Sequence, residues 1–247
     1  MCVTSAEASV LIETARANNV VLTVFQNRRW DSDFLTVRKL LENKTLGDLS
    51  HFEALYDRFL PSLDGAWRES ADVNGGGLLY DLGAHLVDQM LTLFGPPTNI
   101  SSDVQSQREG SSNDDYFRLE CQYPGLLVVL TASMLVENTP KYTIRGANGS
   151  FIKYGEDGQA TAMRAGRTPL TDGDSWGREP EAHYGVLERP GQPDERVVSE
   201  RGNYGAFYIG VADTIQHGAA QLVHPEESAA GIAILEKAKA AFLAAQT

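Results

Sequence analysis

The sequence predicts an α+β fold: a mostly antiparallel, open sheet with helices on one face, preceded by a separate helix–strand unit. Three observations support this prediction. A capped helical segment and a short β-branched run occupy residues 4–25. After Phe94 the apolar period changes from helical to alternating, and several short strands follow one another. Two helical segments then close the chain.

Composition places the chain among ordinary globular proteins. Its 247 residues are 42% hydrophobic and 22% charged, and its formal net charge is −12. An acidic chain without a segregated basic face repels a phosphate backbone, so we expect no nucleic-acid partner. No apolar run approaches the ~20 residues that a membrane span needs, and Met1 begins no signal-peptide pattern. The sequence thus predicts a cytoplasmic protein without a membrane partner.

The two cysteines point away from a metal or disulfide framework. Cys2 and Cys121 are far apart in sequence and form no Cys-x-x-Cys or Cys/His array. We therefore expect no metal site. Cys121 lies in an apolar, strand-like stretch and should pack as a small buried residue.

The first segments are predicted in the order helix, strand, helix, strand. Thr4 and Glu7 fit a capping box at the start of the first helix, and Val20–Phe25 follows as a short β-branched strand. Asp31 is placed to cap a second, amphipathic helix. The alternation over residues 49–59 predicts the next strand.

The central and C-terminal segments supply the rest of the predicted sheet. Leu78–Phe94 has apolar positions at helical spacing and ends at Gly95. Strands are then predicted at residues 99–107, 116–123, 126–136, 142–145 and 150–154. Residues 156–200 are rich in Gly, Asp, Glu and Pro and should form irregular excursions with one or two edge strands. Helices at 204–217 and from Pro225 onward close the chain.

One helical segment carries a pair of residues suited to proton transfer. Asp81 and His85 are four residues apart, so on a helix they share one face. A carboxylate beside an imidazole fixes its tautomer and stabilises its protonated form, which suits a general acid or base near neutral pH. Gly75–Gly77, just before the helix, permit close backbone approach of a ligand or of a neighbouring strand. On these residues alone, such a pair is more often a structural contact than a catalytic one.

The run GGGLLYDLGAHLVDQ resembles the GGG-x-x-x-D-x-G-x-H-x-x-D motif of the Gfo/Idh/MocA family of NAD(P)-dependent oxidoreductases. Other stretches agree in order. Thr4–Ala17 resembles a late helix of the family's Rossmann domain, and Val20–Trp30 is similar to the strand and Arg-containing exit that follow. The resemblance covers nearly the whole chain, and the run QNRRWDSDF is nearest to the scyllo-inositol dehydrogenase-like branch.

The resemblance implies catalytic roles for two residues of the motif. Family members carry a Lys, Asp and His relay beside the nicotinamide ring, and Asp81 and His85 match its Asp and His. His85 would exchange the proton of a substrate hydroxyl or carbonyl, and Asp81 would orient the imidazole. Asp88 lies almost two turns from Asp81 and is interpreted as structural.

Three further residues resemble family positions that border the cofactor–substrate cleft. Asn27, Arg28 and Trp67 are therefore candidate substrate-binding residues. Other interpretations are equally open: Arg28 and Arg29 as an exposed pair of cations at a strand end, and Trp67 as a core anchor.

The chain departs from the family near its start. A G-x-G-x-x-G turn, which holds the pyrophosphate of a dinucleotide, occurs nowhere in the sequence, and the family's Glu-Lys-Pro would fall just before Met1. The resemblance then implies a remnant of a Rossmann domain over residues 1–27 and a C-terminal substrate and oligomerisation domain over residues 28–247. NAD or NADP is implied for the whole enzyme, but we expect this chain alone not to bind it, and its cofactor-binding residues stay unassigned.

Three functions remain open from the sequence. The first is the C-terminal, substrate-binding part of an oxidoreductase for polyols or sugar-like, inositol-type substrates, inactive in hydride transfer as this chain. The second is a shortened relative that works as a cofactor-independent acid–base enzyme of the dehydratase or isomerase type. The third is a non-catalytic binding or assembly module. In each case the open sheet face favours a homo-oligomer.

Overall fold

The structure is a computed structural model that describes residues 1–65, 67–70 and 73–244. It divides into two compact units. Unit 1 consists of Met1–Val24, Glu53–Thr139 and Val223–Thr247, and unit 2 of Phe25–Phe52 and Pro140–Leu222.

Helices and strands alternate irregularly along the described chain. The helices are α1 (Ser5–Ala17), α2 (Ser32–Glu42), a π-helical turn (Leu79–Gly83), α3 (Ala84–Phe94), α4 (Gln159–Arg164), α5 (Pro169–Asp172), α6 (Gly205–His217) and α7 (Pro225–Ala244). The strands are β1 (Leu49–Leu55), β2 (Asn99–Gln105), β3 (Tyr116–Tyr123), β4 (Leu126–Ser133), β5 (Tyr142–Gly146), β6 (Gly149–Lys153), β7 (Gly185–Glu188) and β8 (Glu195–Val197).

The eight strands have the hydrogen-bonded order β2-β3-β4-β1-β5-β6-β7-β8, so the sheet is open, with β2 and β8 at its edges. The β2–β3 and β3–β4 ladders of unit 1 are antiparallel, with Asn99 opposite Gln122 and Tyr116 opposite Ser133. The β5–β6, β6–β7 and β7–β8 ladders of unit 2 are antiparallel as well. The predicted α+β class with a mostly antiparallel open sheet is therefore confirmed.

In unit 1, α1 and α3 both pack against α7. The predicted capping box of α1 is present: Glu7 donates its backbone N–H to Thr4 Oγ1 at 3.2 Å, and Glu7 Oε2 accepts from the Thr4 N–H at 3.1 Å. Cys121 is buried in β3 as predicted, and burial raises the pKa of its thiol to about 12. No helix of the described residues is long and apolar enough to cross a membrane.

The predicted strand at Val20–Phe25 is wrong. In the described part of the chain, residues 20–26 pair with no strand. A β-branched run becomes a strand only where a neighbouring strand accepts and donates its backbone hydrogen bonds, which periodicity does not reveal. The segment is tethered by a side chain instead, since Thr23 Oγ1 donates to the Val223 carbonyl at 2.8 Å.

In unit 2, Asp31 precedes α2 but does not cap it with its carboxylate as predicted. Asp31 Oδ1 accepts from the Tyr204 hydroxyl at 2.6 Å, and Asp31 Oδ2 accepts from Arg28 Nη1 at 3.3 Å. The Ser32 N–H at the start of α2 donates to Asp157 Oδ2 at 2.9 Å. The start of α2 is thus capped by a residue that is remote in sequence, and no local sequence motif indicates such a cap.

Unit 2 also buries a cluster of ionisable side chains. Its members are less than a tenth exposed: Asp31, Asp33, Lys141, Lys153, Asp157 and Glu179. Removal from water is the main cause of two pKa shifts within it. Burial raises the pKa of Asp33 to about 6 and lowers the pKa of Lys141 to about 7. The opposite charges of the two side chains partly offset both shifts.

Candidate active site

The helix that carries Asp81 and His85 begins with a π-helical turn. The turn covers Leu79–Gly83 and runs directly into α3. Asp81 lies in the π turn, and His85 lies in the first turn of α3. A π turn accommodates one extra residue within a helix, is rare, and is frequently found at functional sites. The predicted helix is therefore confirmed, with a local irregularity at its candidate site.

Asp81 is accessible to solvent and lies beside a cation. Its side chain is 34% exposed, and its Oδ2 lies 3.9 Å from Arg68 Nε. Arg68 also lies 3.6 Å from Asp64, through its Nη2. Asp81 is thus a half-exposed carboxylate within a small charged group, as an acid–base site near a ligand requires.

His85 is half-buried, and its Nδ1 lies away from solvent. Because Nδ1 is buried, Nε2 is the nitrogen that is left to exchange a proton with a ligand. One turn later Asp88 is buried. Its burial supports the interpretation that Asp88 is structural, which stays a prediction.

Gly75–Gly77 allow a neighbouring chain segment to approach closely. Gly77 has a φ of +96°, and a Cβ atom built on it would overlap the carboxylate of Asp114. A Cβ on Gly76 would lie 2.7 Å from Asn113 Nδ2. The sequence left open a ligand or a neighbouring strand, but the segment that approaches these glycines is the loop just before β3.

Trp67 is not a core anchor. It lies in a short 3-10 turn (Trp67–Glu69) of unit 1 and is 58% exposed. Buried tryptophans anchor cores, whereas an exposed indole offers an apolar face to a ligand or a partner. Its assignment as a substrate-binding residue stays a prediction.

Asn27 and Arg28 belong to unit 2, where they lie in the 3-10 turn Asn27–Trp30. Arg28 and Arg29 are each only 8% exposed, so the interpretation of an exposed cation pair is wrong. Arg28 Nη1 donates to Asp31 Oδ2 and lies 3.5 Å from the Tyr204 hydroxyl. Asn27 is half-buried. A ligand contact by either side chain stays a prediction.

Sequence reasoning missed the residues that hold this site together. Arg68 follows Trp67 directly, and Asn113 and Asp114 lie just before β3. Asp114 Oδ2 accepts from the Leu79 N–H at 2.7 Å, at the start of the π turn. A polar pair directly before an apolar strand is the signal that was available, but it is common to many loops.

A cavity of unit 1 lies beside the glycines, with a volume of about 390 Å³. Tyr80, Asn113, Glu236 and Lys239 supply its polar lining. The Tyr80 hydroxyl donates to the Val3 carbonyl at 2.8 Å, and burial is the main reason that its pKa is raised to about 12. Asp81 and His85 do not line this cavity. In the parts of the chain that the structure describes, no group of three or more His, Cys, Asp or Glu side chains is placed to hold a metal ion.

Comparison with known proteins decides the family. The GFO/IDH/MocA C-terminal domain matches residues 34–152. The scyllo-inositol 2-dehydrogenase (NADP(+)) IolW of Bacillus subtilis is 40% identical over 242 residues, which cover 96% of this chain and 67% of the relative. The chain belongs to the Gfo/Idh/MocA family.

Solved structures of oxidoreductases share the fold. The oxidoreductase yvaA from Bacillus subtilis has a TM-score of 0.91 and 40% identity, over 96% of this chain and 68% of that one. The YPO2259 oxidoreductase from Yersinia pestis has a TM-score of 0.88 and 37% identity, over 96% and 67%. The chain thus spans about two thirds of the length of these Gfo/Idh/MocA relatives.

The family implies a nicotinamide dinucleotide, whose pyrophosphate is held by free N–H groups at a helix amino end. In this chain, acceptors of the protein already occupy the amino ends of the long described helices. Glu7 Oε2 accepts from the Val3 and Thr4 amides at α1, and Asp114 accepts from Leu79 at the π turn. The first turn of α7 holds Glu226 and Glu227. Carboxylates at these positions repel a phosphate, so the described residues do not fit the pyrophosphate.

Proposed function

We propose that this chain supplies the acid–base pair and part of the substrate surface of an oxidoreductase that acts on a CH–OH group of a polyol or sugar-like, inositol-type molecule. The observation that carries the proposal is the half-exposed Asp81 in a π turn, four residues before His85, within the family motif. The name of the 40% identical relative, a scyllo-inositol 2-dehydrogenase, supports the substrate class.

In the proposed reaction, oxidation of a secondary alcohol removes a proton from the hydroxyl oxygen and a hydride from the carbon that carries it. His85 accepts the hydroxyl proton, and in the reverse direction it returns the proton to the carbonyl oxygen. Asp81 orients the imidazole and stabilises its protonated form. Trp67 offers an exposed apolar face that suits the C–H face of a ring, and Asn27 and Arg28 are the remaining candidate contacts.

The proposal assigns the hydride acceptor to a part of the enzyme other than the described residues. NAD or NADP serves this role in the family, but the carboxylates at the helix amino ends disfavour its pyrophosphate here. We therefore expect this chain alone to be inactive in hydride transfer.

Calorimetric titrations of the full chain with scyllo-inositol, NADH and NADPH test both parts of the proposal. We expect polyol binding that His85→Ala weakens about fivefold, which corresponds to the loss of one neutral hydrogen bond of about 1 kcal/mol. His217→Ala is the matched control, because His217 is an exposed histidine at the end of α6. We expect neither nucleotide to bind saturably at millimolar concentration.

Other outcomes would point to the alternative functions. Conversion of a polyol without nucleotide, lost in His85→Ala, would indicate a dehydratase or isomerase. Equal polyol affinity of the wild type and His85→Ala would contradict the acid–base proposal. It would favour a binding or assembly module instead. The homo-oligomer expected through the sheet face stays a prediction, which light scattering on the same samples measures.

A further inference from the structure

Three consecutive buried side chains in unit 1 each bind a different segment of the chain. Asn113, Asp114 and Asp115 lie just before β3, and all three are less than a tenth exposed. Asp115 Oδ2 accepts from Arg108 Nε at 2.9 Å, and Arg108 in turn lies 3.0 Å from Glu69 Oε1. Burying polar groups is unfavourable unless each is hydrogen-bonded, so these bonds determine how the segments can be arranged.

Asn113 holds the segment that contains Arg68. Its Nδ2 donates to the Ser70 carbonyl at 3.2 Å and lies 3.4 Å from the Arg68 carbonyl. The Gly77 N–H donates to the same Arg68 carbonyl at 2.8 Å. The backbone of Arg68 is therefore tied to both the glycine turn and the segment before β3.

Asp114 holds the start of the helix that carries Asp81. Its carbonyl accepts from the Leu78 N–H at 2.9 Å, and its Oδ2 accepts from the Leu79 N–H. Its Oδ1 forms an ion pair with Lys239 of α7. The Asp114 side chain thus joins the Lys239 ammonium of α7 to the amino end of the helix.

These contacts bring the Arg68 guanidinium to Asp81. Asn113 and Asp114 are neighbours in sequence, so the Arg68 segment and the π turn are held at a constant separation. We propose that Arg68 is a positioning residue of the acid–base site, which holds the Asp81 carboxylate in the place from which it orients His85. This inference rests on the proposed function of Asp81 and His85.

A half-exposed ion pair stabilises the fold little, so removal of Arg68 should affect the site more than the stability. Without the cation, the Asp81 carboxylate is no longer held in place, so the tautomer of His85 that it favours should change. Arg68 forms ion pairs with Asp81 and Asp64, and it lines a small cavity together with Glu69, Arg108 and Asp115.

Nuclear magnetic resonance of histidine side chains in the full chain tests the inference. The His85 signals are assigned by their loss in His85→Gln. In Arg68→Met we expect a changed tautomer ratio of His85, and in Arg68→Lys a ratio partly restored to the wild-type value. Asn113→Ala, which releases the Arg68 segment, should change the same signals in the same direction.

Arg118→Met is the matched control, because Arg118 is 37% exposed on β3 of the same unit and pairs with Glu53 and Glu120. Identical tautomer ratios of His85 in Arg68→Met and Arg118→Met would overturn the inference. This readout needs no substrate turnover. If His85→Ala leaves polyol binding unchanged, the proposed function fails, while the effect of Arg68 on His85 is still measured independently.

Discussion

The Lys153 ammonium lies 2.9 Å from the Glu179 carboxylate in unit 2, with the two side chains 0% and 1% exposed. Lys153 Nζ also donates to the His183 carbonyl at 2.8 Å. Glu179 Oε2 accepts a second hydrogen bond from the Ser199 hydroxyl. The pair is thus desolvated and hydrogen-bonded on both sides, which makes each partner necessary to the other.

Removal of one partner of this pair should destabilise the fold strongly. Lys153→Met leaves the Glu179 carboxylate buried without its cation, and we expect the free energy of unfolding to fall by about 3–5 kcal/mol. Lys39→Met is the control, because Lys39 pairs with Glu200 but the two side chains are 60% and 38% exposed. Its effect should stay within about 1 kcal/mol. Urea denaturation compares the two variants, and equal losses would contradict the prediction.

The stability of unit 2 should depend on pH through Lys141. Its pKa is lowered to about 7 from an ordinary 10.5, mainly by burial. Between these values the unfolded chain binds a proton that the folded chain lacks, so the free energy of unfolding should rise with pH in this range, by at most about 1.4 kcal/mol per pH unit. Lys141→Met should lose this contribution. Urea midpoints at pH 7, 8 and 9 measure it, with Lys237→Met as the exposed control.

Asp33 should act in the opposite sense at acidic pH. Its pKa is raised to about 6 from 3.8, mainly by burial. Between these values the folded chain binds a proton that the unfolded chain lacks, so the contribution of Asp33 to the free energy of unfolding falls as pH rises from about 4 to about 6. Asp33→Asn should remove this dependence. Parallel curves for wild type and variant over this range would show that Asp33 titrates as in the unfolded chain.

Gly77→Ala should destabilise unit 1 more than an alanine at another glycine of similar backbone conformation. Gly77 and Gly65 both have positive φ, +96° and +71°, but only a Cβ on Gly77 meets other atoms, those of Asn113 and Asp114. We expect a loss of about 1 kcal/mol for Gly65→Ala and about 3 kcal/mol or more for Gly77→Ala. Thermal and urea unfolding of both variants measure the difference. Equal losses would mean that the Asp114 segment moves aside at little cost.

Truncation of two tryptophans should change the free energy of unfolding by very different amounts. Trp67 is exposed, so Trp67→Ala should change the free energy of unfolding by no more than about 0.5 kcal/mol. Trp176 is 4% exposed and donates its Nε1–H to Gln159 at 3.1 Å, so Trp176→Ala should lose about 3–5 kcal/mol. A stable Trp67→Ala with weakened polyol binding would support a ligand contact. A destabilised Trp67→Ala would count against it.

The spacing of apolar residues and the capping motif predicted most helices and strands of this chain, because both signals lie within the element that they predict. Strand β3 covers Tyr116–Tyr123 as predicted, and the capping box at Thr4 is present. The strand predicted at residues 49–59 ends earlier, at Leu55. The alternation beyond Leu55 still reflects pairing, because the backbone N–H groups of Tyr56 and Arg58 donate to the carbonyls of Thr131 and Ser133.

Of the candidate site, the sequence supplies only the motif with Asp81 and His85, whose roles stay a prediction that rests on the family resemblance. The partners of Asp114 lie 35 residues before it and 125 residues after it in the chain. Charged residues are expected at the surface, so burial of Arg28 was not foreseen, since its hydrogen-bond acceptor and Tyr204 come together only in the fold. Long-range charge pairing leaves no periodic signal in a sequence.

The π turn sets the angular phase of the helix on which the site is built. Leu86 and Met90 of α3 are buried in the core of unit 1 and fix the rotation of that helix. Each residue of an α-helix turns the chain by about 100°. A helix shortened by one residue between Asp81 and His85 would keep the core contacts of Leu86 and Met90 and turn Asp81 about 100° away from its present direction. The number of residues in this turn is therefore as much a part of the site as their chemical identity.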